Sequence, residues 1–120
     1  MFGPHLMLDL QNCDYDKMNS QEYIYNILDT LTDLIGMTKI IPPYVFPYCG
    51  INSEDKGITG IVIIAESHIT IHTFTEKDYV FCDIFSCKSF DEELAIDYLI
   101  RAFDSKKSKV FREYRGEDFR

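Results

Sequence analysis

Two segments of the chain carry hydrophobic residues at helical spacing. In the first, Asn19 and Glu22 resemble a capping box, and Gly36 is placed to end the helix. In the second, Ser89 and Glu92 form the same kind of box. The stripes that these helices are predicted to bury comprise Ile24, Ile27, Leu28, Leu31, Leu34 and Ile35 in the first, and Leu94, Ala95, Tyr98, Leu99, Ala102 and Phe103 in the second.

The other hydrophobic segments are short and typical of strands. "HLMLDL" alternates, whereas "ITGIVIIAE" is apolar on both faces and predicts a strand inside a sheet. "HITIHTF" and "DYVFCDIFSC" are separated by a turn, "TEKD", and "SKVFREY" predicts a last strand. Prolines confine "TKIIPPYVFPYCG" to a sheet edge, and "INSEDKG" reads as a loop. The order β-α-β-β-β-β-α-β predicts an α+β fold, a two-layer α/β sandwich whose mostly antiparallel sheet carries its helices on one face.

Length, composition and charge narrow the class of protein. The 120 residues suit a single domain, 1–120, and a hydrophobic content of 46% argues against disorder. The formal net charge of -8 argues against nucleic acid or an anionic membrane as a partner. The acidity suits a small cationic ligand, although a solvated acidic surface is the more common meaning of such a charge balance.

The cysteines and the N-terminal segment indicate the compartment. Cys13, Cys49, Cys82 and Cys87 form no CxxC pair and no zinc-type spacing with the histidines. Cys82 and Cys87 differ by an odd step on one predicted strand, so they should point apart. The N-terminal segment lacks the features of a signal peptide, and no hydrophobic run reaches membrane-spanning length. A cytoplasmic protein with reduced thiols is expected.

The stretch "IIAESHITIHTF", residues 63–74, combines strand-like alternation with chemically active side chains. Because residues alternate between the faces of a strand, His68, Thr70 and His72 share one face while Ser67 points to the other. One face of this strand is therefore polar and could line a site.

Taken singly, these residues leave several readings open. A Ser–His hydrolase would place its serine on a strand-to-helix elbow, but "AESHI" continues into a strand. A metal site built from His68, His72 and Cys87 has no recognised spacing to support it. In the third reading both histidines are solvent-facing strand residues, and Cys87 is a small core residue.

The string "ESHITIHTF…EKDYVFCDIFSC", within Gly57–Cys87, resembles the central motif of the prokaryotic S-adenosylmethionine decarboxylases. These are small pyruvoyl-dependent enzymes of polyamine synthesis. The resemblance implies that the proenzyme cuts its own backbone between Glu66 and Ser67, which leaves a β chain, 1–66, and an α chain, 67–120. It also implies a covalent pyruvoyl group derived from Ser67, with no metal and no external cofactor.

The resemblance also assigns roles to three further residues. His72 is the acid/base of the ester step in self-processing. Thr59 stands where the family has a serine that is needed for processing, so the hydroxyl is kept. Cys87 matches the catalytic proton donor. The implied reaction passes through a Schiff base to the pyruvoyl group and yields decarboxylated S-adenosylmethionine, the aminopropyl donor for spermidine.

The substrate contacts are less closely matched, because "YVFPYCGINSEDKGITG" contains an insertion relative to the family. Phe46, Tyr48 and Phe74 are the candidates for stacking on adenine. Glu76 stands where the family often has a glutamate that contacts the ribose.

Three expectations about substrate and assembly follow from the resemblance. Some relatives with the same pyruvoyl core decarboxylate L-arginine or L-ornithine, and Glu54 and Asp55 in the insertion would suit such a substrate or a sulfonium. Members of this length form homodimers whose site is built between protomers. An uncleaved regulatory homologue is the remaining alternative.

Overall fold

The computed structural model describes residues 2–119, and its strands form one antiparallel sheet. The sheet order is β2-β3-β4-β5-β1-β6, and the pairings between these described strands are all antiparallel. This architecture confirms the predicted α+β sandwich. The elements are β1 (Gly3–Gln11), α1 (Tyr15–Met18), α2 (Gln21–Leu34), β2 (Tyr44–Cys49), β3 (Lys56–Ile64), β4 (Ser67–Phe74), β5 (Tyr79–Phe85), α3 (Glu92–Ala102) and β6 (Lys107–Arg115).

The helix caps differ from the predicted boxes. Ser20 caps α2, because its side chain accepts a hydrogen bond from the backbone N–H of Tyr23. Asp91 caps α3 in the same way through the N–H of Leu94. The predicted caps Asn19 and Ser89 are therefore wrong. Asn19 instead ends α1, a short helix that the pattern did not predict.

Both longer helices pack on one face of the sheet, with small changes from the predicted stripes. Leu34 and Leu94 are exposed, whereas Ile96 is buried. The buried residues of α3 are Ala95, Ile96, Leu99 and Ala102. Tyr98 is partly buried against the core. Gly36 follows α2 with a φ of 73°, as the predicted helix end requires.

The other face of the sheet carries no helix among the described residues, and we call it the open face. Along β4, Ile69 and Ile71 are fully buried toward the helices, while His68 and His72 are not. The predicted polar face of β4 is thus part of the open face. Strand register and alternation place on the open face His5, Tyr44, Phe46, Tyr48, Thr59, His68, Thr70, His72, Phe74, Tyr79, Phe81, Asp83, Phe85 and Phe111.

The predicted positions of the strands in the sheet are also confirmed. β3 lies in the interior between β2 and β4, and the proline-containing β2 lies at the edge. Within residues 2–119, no helix is long and apolar enough to cross a membrane.

Candidate active site

The turn between β3 and β4 holds its second residue in an unfavourable backbone conformation. Ile64 and Ser67 are the last paired residues, so Ala65 and Glu66 alone form the turn. Glu66 has a φ of 61°, in the left-handed region. For a residue with a side chain this conformation costs about 1–2 kcal/mol. The peptide bond between Glu66 and Ser67 therefore begins at a strained residue.

Ser67 and Cys87 meet beside this turn. β4 runs antiparallel to β5, so the start of β4 lies next to the segment that leaves β5. The backbone N–H of Cys87 donates to Ser67 Oγ at 2.8 Å. The thiol of Cys87 donates to the carbonyl oxygen of Ala65 at 3.4 Å. A hydroxyl, a thiol and the strained turn thus form one cluster.

Thr59 and His72 meet at the other end of β4. They are register partners across β3 and β4, and Thr59 Oγ1 shares a hydrogen bond with His72 Nδ1 at 3.2 Å. Beside them is a cavity of about 290 Å³. Its lining comprises Phe46, Tyr48, Asp55, Gly57, Thr59, His72, Thr73 and Phe74.

The base of this cavity is tightly packed. A Cβ added at Gly57 would lie 1.8 Å from the carbonyl oxygen of Thr73, so only glycine lets the two strands approach this closely. Thr73 Oγ1 accepts from the N–H of Ile58 at 2.8 Å and donates to the carbonyl oxygen of Met18 at 3.0 Å. These contacts fix the ends of β3 and β4 that carry the cavity.

Asp55 is the one carboxylate among the described residues that line the cavity. Its Oδ1 pairs with Lys77. Glu76, which the resemblance favours for substrate binding, lies outside the lining and forms an ion pair with Lys56 at 3.2 Å. The sequence pointed to the insertion that contains Asp55, but a loop has no periodicity from which its position over the sheet could be predicted.

Within one chain the predicted site residues form two separate groups. Ser67 and His72 are five residues apart on one strand, or roughly 17 Å at the usual rise of a strand. They also face opposite sides of the sheet, since five is an odd step. Ser67 and Cys87 lie at the start of β4, and Phe46, Thr59, His72 and Phe74 lie at its end.

Comparisons with known proteins identify the fold and the family of the chain. The crystal structure of the adenosylmethionine decarboxylase from Aquifex aeolicus VF5 superposes with a TM-score of 0.80 at 29% identity, over 96% of this chain and 91% of the other. The family model for S-adenosylmethionine decarboxylase matches residues 4–116. The chain belongs to the S-adenosylmethionine decarboxylase family.

Curated relatives of the family support the same assignment. A protein of Clostridium botulinum (strain Loch Maree, type A3) named S-adenosylmethionine decarboxylase proenzyme is 34% identical over 116 residues, which span 96% of this chain and 95% of the relative. A protein of the same name from Anoxybacillus flavithermus is 30% identical over 95% of this chain and 87% of its own. The predictions of the family and of a decarboxylase enzyme are confirmed.

Two of the alternative chemistries have little structural support. Ser67 opens a strand rather than a strand-to-helix elbow, unlike the serine of a hydrolase of that type. Among residues 2–119, His, Cys, Asp and Glu form no group of three or more that could hold a metal ion.

Two of the three histidines, His5 and His68, border the Ser67 end of the open face. His5 and His68 flank Phe85, with ring centroids 5.5 and 5.7 Å from it. Burial is the main cause that lowers the pKa of His68, and the nearby His5 and Arg115 lower it further, against an opposing effect of Asp83. His68 is therefore biased toward its neutral form.

The other cysteines differ from Cys87 in their surroundings. Burial raises the pKa of Cys13 to about 11, and it raises the pKa of the fully buried Cys82 as well. Cys87 is partly exposed and lies at the candidate site. β5 ends at Phe85, so Cys87 lies beyond the strand on which an odd step from Cys82 was expected to set the two side chains apart.

Proposed function

We propose that this chain is a pyruvoyl-dependent decarboxylase of S-adenosylmethionine that cleaves itself between Glu66 and Ser67. The products are a β chain, 1–66, and an α chain, 67–120, within one domain. The main support for this proposal is the hydrogen bond from the Cys87 N–H to Ser67 Oγ, next to the strained backbone of Glu66. The enzyme acts in the cytoplasm and supplies the aminopropyl donor for spermidine.

Self-cleavage begins at the strained turn. Ser67 Oγ attacks the carbonyl carbon of Glu66, and the peptide bond is replaced by an ester as the nitrogen of Ser67 takes up the proton. Release of the left-handed conformation of Glu66 favours this step. The Cys87 N–H fixes the orientation of Oγ during the attack. Loss of the Cα proton of residue 67 then expels the Glu66 carboxylate, and addition of water with loss of ammonia completes the processing.

The residues around Ser67 fit the pyruvoyl group that this processing would leave. The group supplies an electrophilic carbonyl that withdraws electrons from the substrate carbon that loses carbon dioxide. Cys87 lies next to residue 67 and is the proposed proton donor to that carbon. The scheme uses no metal and no external cofactor.

A second copy of the chain completes the site in this proposal. His72 and Thr59 assist processing, yet they lie roughly 17 Å from Ser67 along β4. The open face is rich in exposed aromatic side chains, among them Tyr44, Phe81 and Phe111. Packing two open faces about a two-fold axis that crosses β4 near its middle brings the start of one β4 to the end of the other. The proposed assembly is therefore a homodimer.

The cavity at the end of β4 is the proposed substrate pocket, with S-adenosylmethionine as the cationic substrate. Phe46, Tyr48 and Phe74 offer ring faces for adenine, and Asp55 offers a carboxylate for the ribose hydroxyls or the cationic part of the substrate. L-Arginine or L-ornithine has no ring to stack, so the rings of Phe46, Tyr48 and Phe74 in this lining favour S-adenosylmethionine.

Intact mass measurement of the purified protein tests the proposal. We expect two polypeptides that end at Glu66 and begin at residue 67, with the second lacking its amino nitrogen. Release of carbon dioxide should be fastest from S-adenosylmethionine when arginine and ornithine are assayed in parallel. A single unbroken chain without activity would instead support the regulatory homologue.

A further inference from the structure

Ser86 bridges two backbone groups on the far side of Cys87. Its side chain is fully buried. Ser86 Oγ donates to the carbonyl oxygen of Lys88 at 2.6 Å and accepts from the N–H of Lys88 at 3.1 Å. One hydroxyl therefore closes a small hydrogen-bonded turn around Cys87.

Both flanks of this turn are attached to other elements. The N–H of Ser86 donates to the carbonyl oxygen of Pro4 at 3.0 Å. A Cβ at Gly3 would lie 2.0 Å from the carbonyl oxygen of Ser86, so β1 approaches this segment as closely as a glycine permits. Lys88 Nζ donates to the carbonyl oxygen of Gly36 at 3.2 Å. Cys87 is thus held between two anchored residues.

We propose that Ser86 is a positioning residue for self-cleavage. Its hydroxyl fixes the turn so that the Cys87 N–H meets Ser67 Oγ at 2.8 Å. Ser86 itself does not touch the reacting bond and acts through Cys87. This inference rests on the proposed function, in which Ser67 Oγ is the nucleophile that the Cys87 N–H orients. Since an error of about 1 Å in such a contact can cost roughly 100-fold in rate, loss of the hydroxyl should slow ester formation strongly.

Time courses of cell-free synthesis can measure the cleavage rate of the wild-type chain and of Ser86→Ala and Ser86→Thr. We expect Ser86→Ala to cleave about 10- to 100-fold more slowly than wild type. Ser86→Thr keeps the hydroxyl and should return the rate to within a few-fold of wild type. A Ser86→Ala rate equal to the wild-type rate would overturn the inference and leave the proposed function intact.

Thr32→Val provides the matched control for lost stability. Thr32 is also fully buried, and its Oγ1 donates to the carbonyl oxygen of Leu28 at 2.8 Å within α2. Both variants lose a buried hydroxyl, so both should unfold at lower urea concentration. Only Ser86→Ala should cleave slowly. Equal slowing in both variants would reduce Ser86 to a structural residue and overturn the inference.

Added hydroxylamine identifies the step that Ser86 serves. Hydroxylamine cuts an ester at Ser67 Oγ and releases 67–120 with an intact serine. If Ser86 acts before ester formation, hydroxylamine should not restore cleavage of Ser86→Ala. Restored cleavage would place the defect after the ester and contradict the inference. A wild-type chain that never cleaves would overturn the proposed function and the inference together.

Discussion

Ser67 and His72 occupy opposite ends of β4 and project from opposite faces of the sheet. If the second copy supplies His72, two defective chains should complement each other. We expect Ser67→Ala and His72→Ala chains each to stay uncleaved alone, and the test is to unfold them together and refold them as a mixture. The His72→Ala chain should then be cut in mixed dimers, because it keeps Ser67 and receives His72 from the Ser67→Ala chain.

Mass spectrometry of this mixture identifies which chain was cut. Refolding each variant alone is the control. Failure of the mixture to cleave, with mixed dimers demonstrated by differential tags, would show that a shared site is not formed.

Asp55 and Glu76 make different contacts and can be compared directly. Asp55 lines the cavity, whereas Glu76 pairs with Lys56 outside it. We expect Asp55→Asn to raise the KM for S-adenosylmethionine about tenfold, equivalent to about 1.4 kcal/mol, with kcat changed much less. Its self-cleavage should be normal. A larger rise in KM for Glu76→Gln than for Asp55→Asn would indicate that Glu76, and not Asp55, contacts the substrate.

The stability of the fold should depend on pH through His68. Because its pKa is lowered in the folded chain, the unfolded chain binds a proton more readily near pH 6. The stabilising contribution is present above about pH 6.5, the ordinary histidine pKa, and is lost as the pH falls through the lower folded value. The uncleaved Ser67→Ala chain allows urea unfolding to be measured at pH 7.5 and 5. Adding His68→Asn should reduce the loss of stability between these pH values, and an unchanged loss would argue against this assignment.

The cysteines should differ in their reactivity toward a thiol reagent at pH 8. Cys49 is exposed and should be modified first. Cys13 and Cys82 are buried with raised pKa values, so few of their thiols are ionised. Peptide mapping after brief treatment with iodoacetamide measures the order, and treatment in denaturant is the control that should modify all four cysteines. Rapid modification of Cys82 in the native protein would contradict the fold.

Gly57→Ala should destabilise the fold more than Gly60→Ala, a change three residues further along the same strand. The new methyl group would meet the backbone oxygen of Thr73 at 1.8 Å, whereas at Gly60 it meets the side-chain end of Leu28 at 2.9 Å. We expect Gly57→Ala to lower the free energy of unfolding by about 1–3 kcal/mol and Gly60→Ala to lower it less. Urea unfolding of both variants in the Ser67→Ala background tests the order.

Much of the fold can be predicted from the local sequence pattern. The helix caps cannot, because nearby residues are often equally suitable as N-caps. Alternation along β4 predicted which face His68 and His72 occupy, because a strand has a fixed period. Asn19 and Ser20 are both good cap residues, so sequence alone did not decide which one opens α2. The same ambiguity applies to α3, for which the pattern favoured Ser89 but Asp91 is the cap.

The candidate site could be predicted only in part. The motif named Ser67, His72 and Cys87, but sequence spacing does not reveal that Cys87 lies beside Ser67 while His72 lies at the far end of the strand. Ser86 lies inside the motif but had no role assigned to it, and Asp55 was named only as one of two acidic residues in the insertion. Their positions depend on hydrogen bonds between segments far apart in sequence, such as the one from Ser86 to Pro4. The roles of these residues stay predictions until the variants are measured.

The order of the strands determines how the two fragments of the proposed cleavage would be held together. β1 belongs to the first 66 residues, yet it lies between β5 and β6, which belong to the remainder. β3, from the first fragment, would likewise stay hydrogen-bonded to β4, from the second, after the hairpin between them is cut. Strands of the two fragments would therefore alternate within one sheet, and neither fragment could dissociate unless the sheet unfolded.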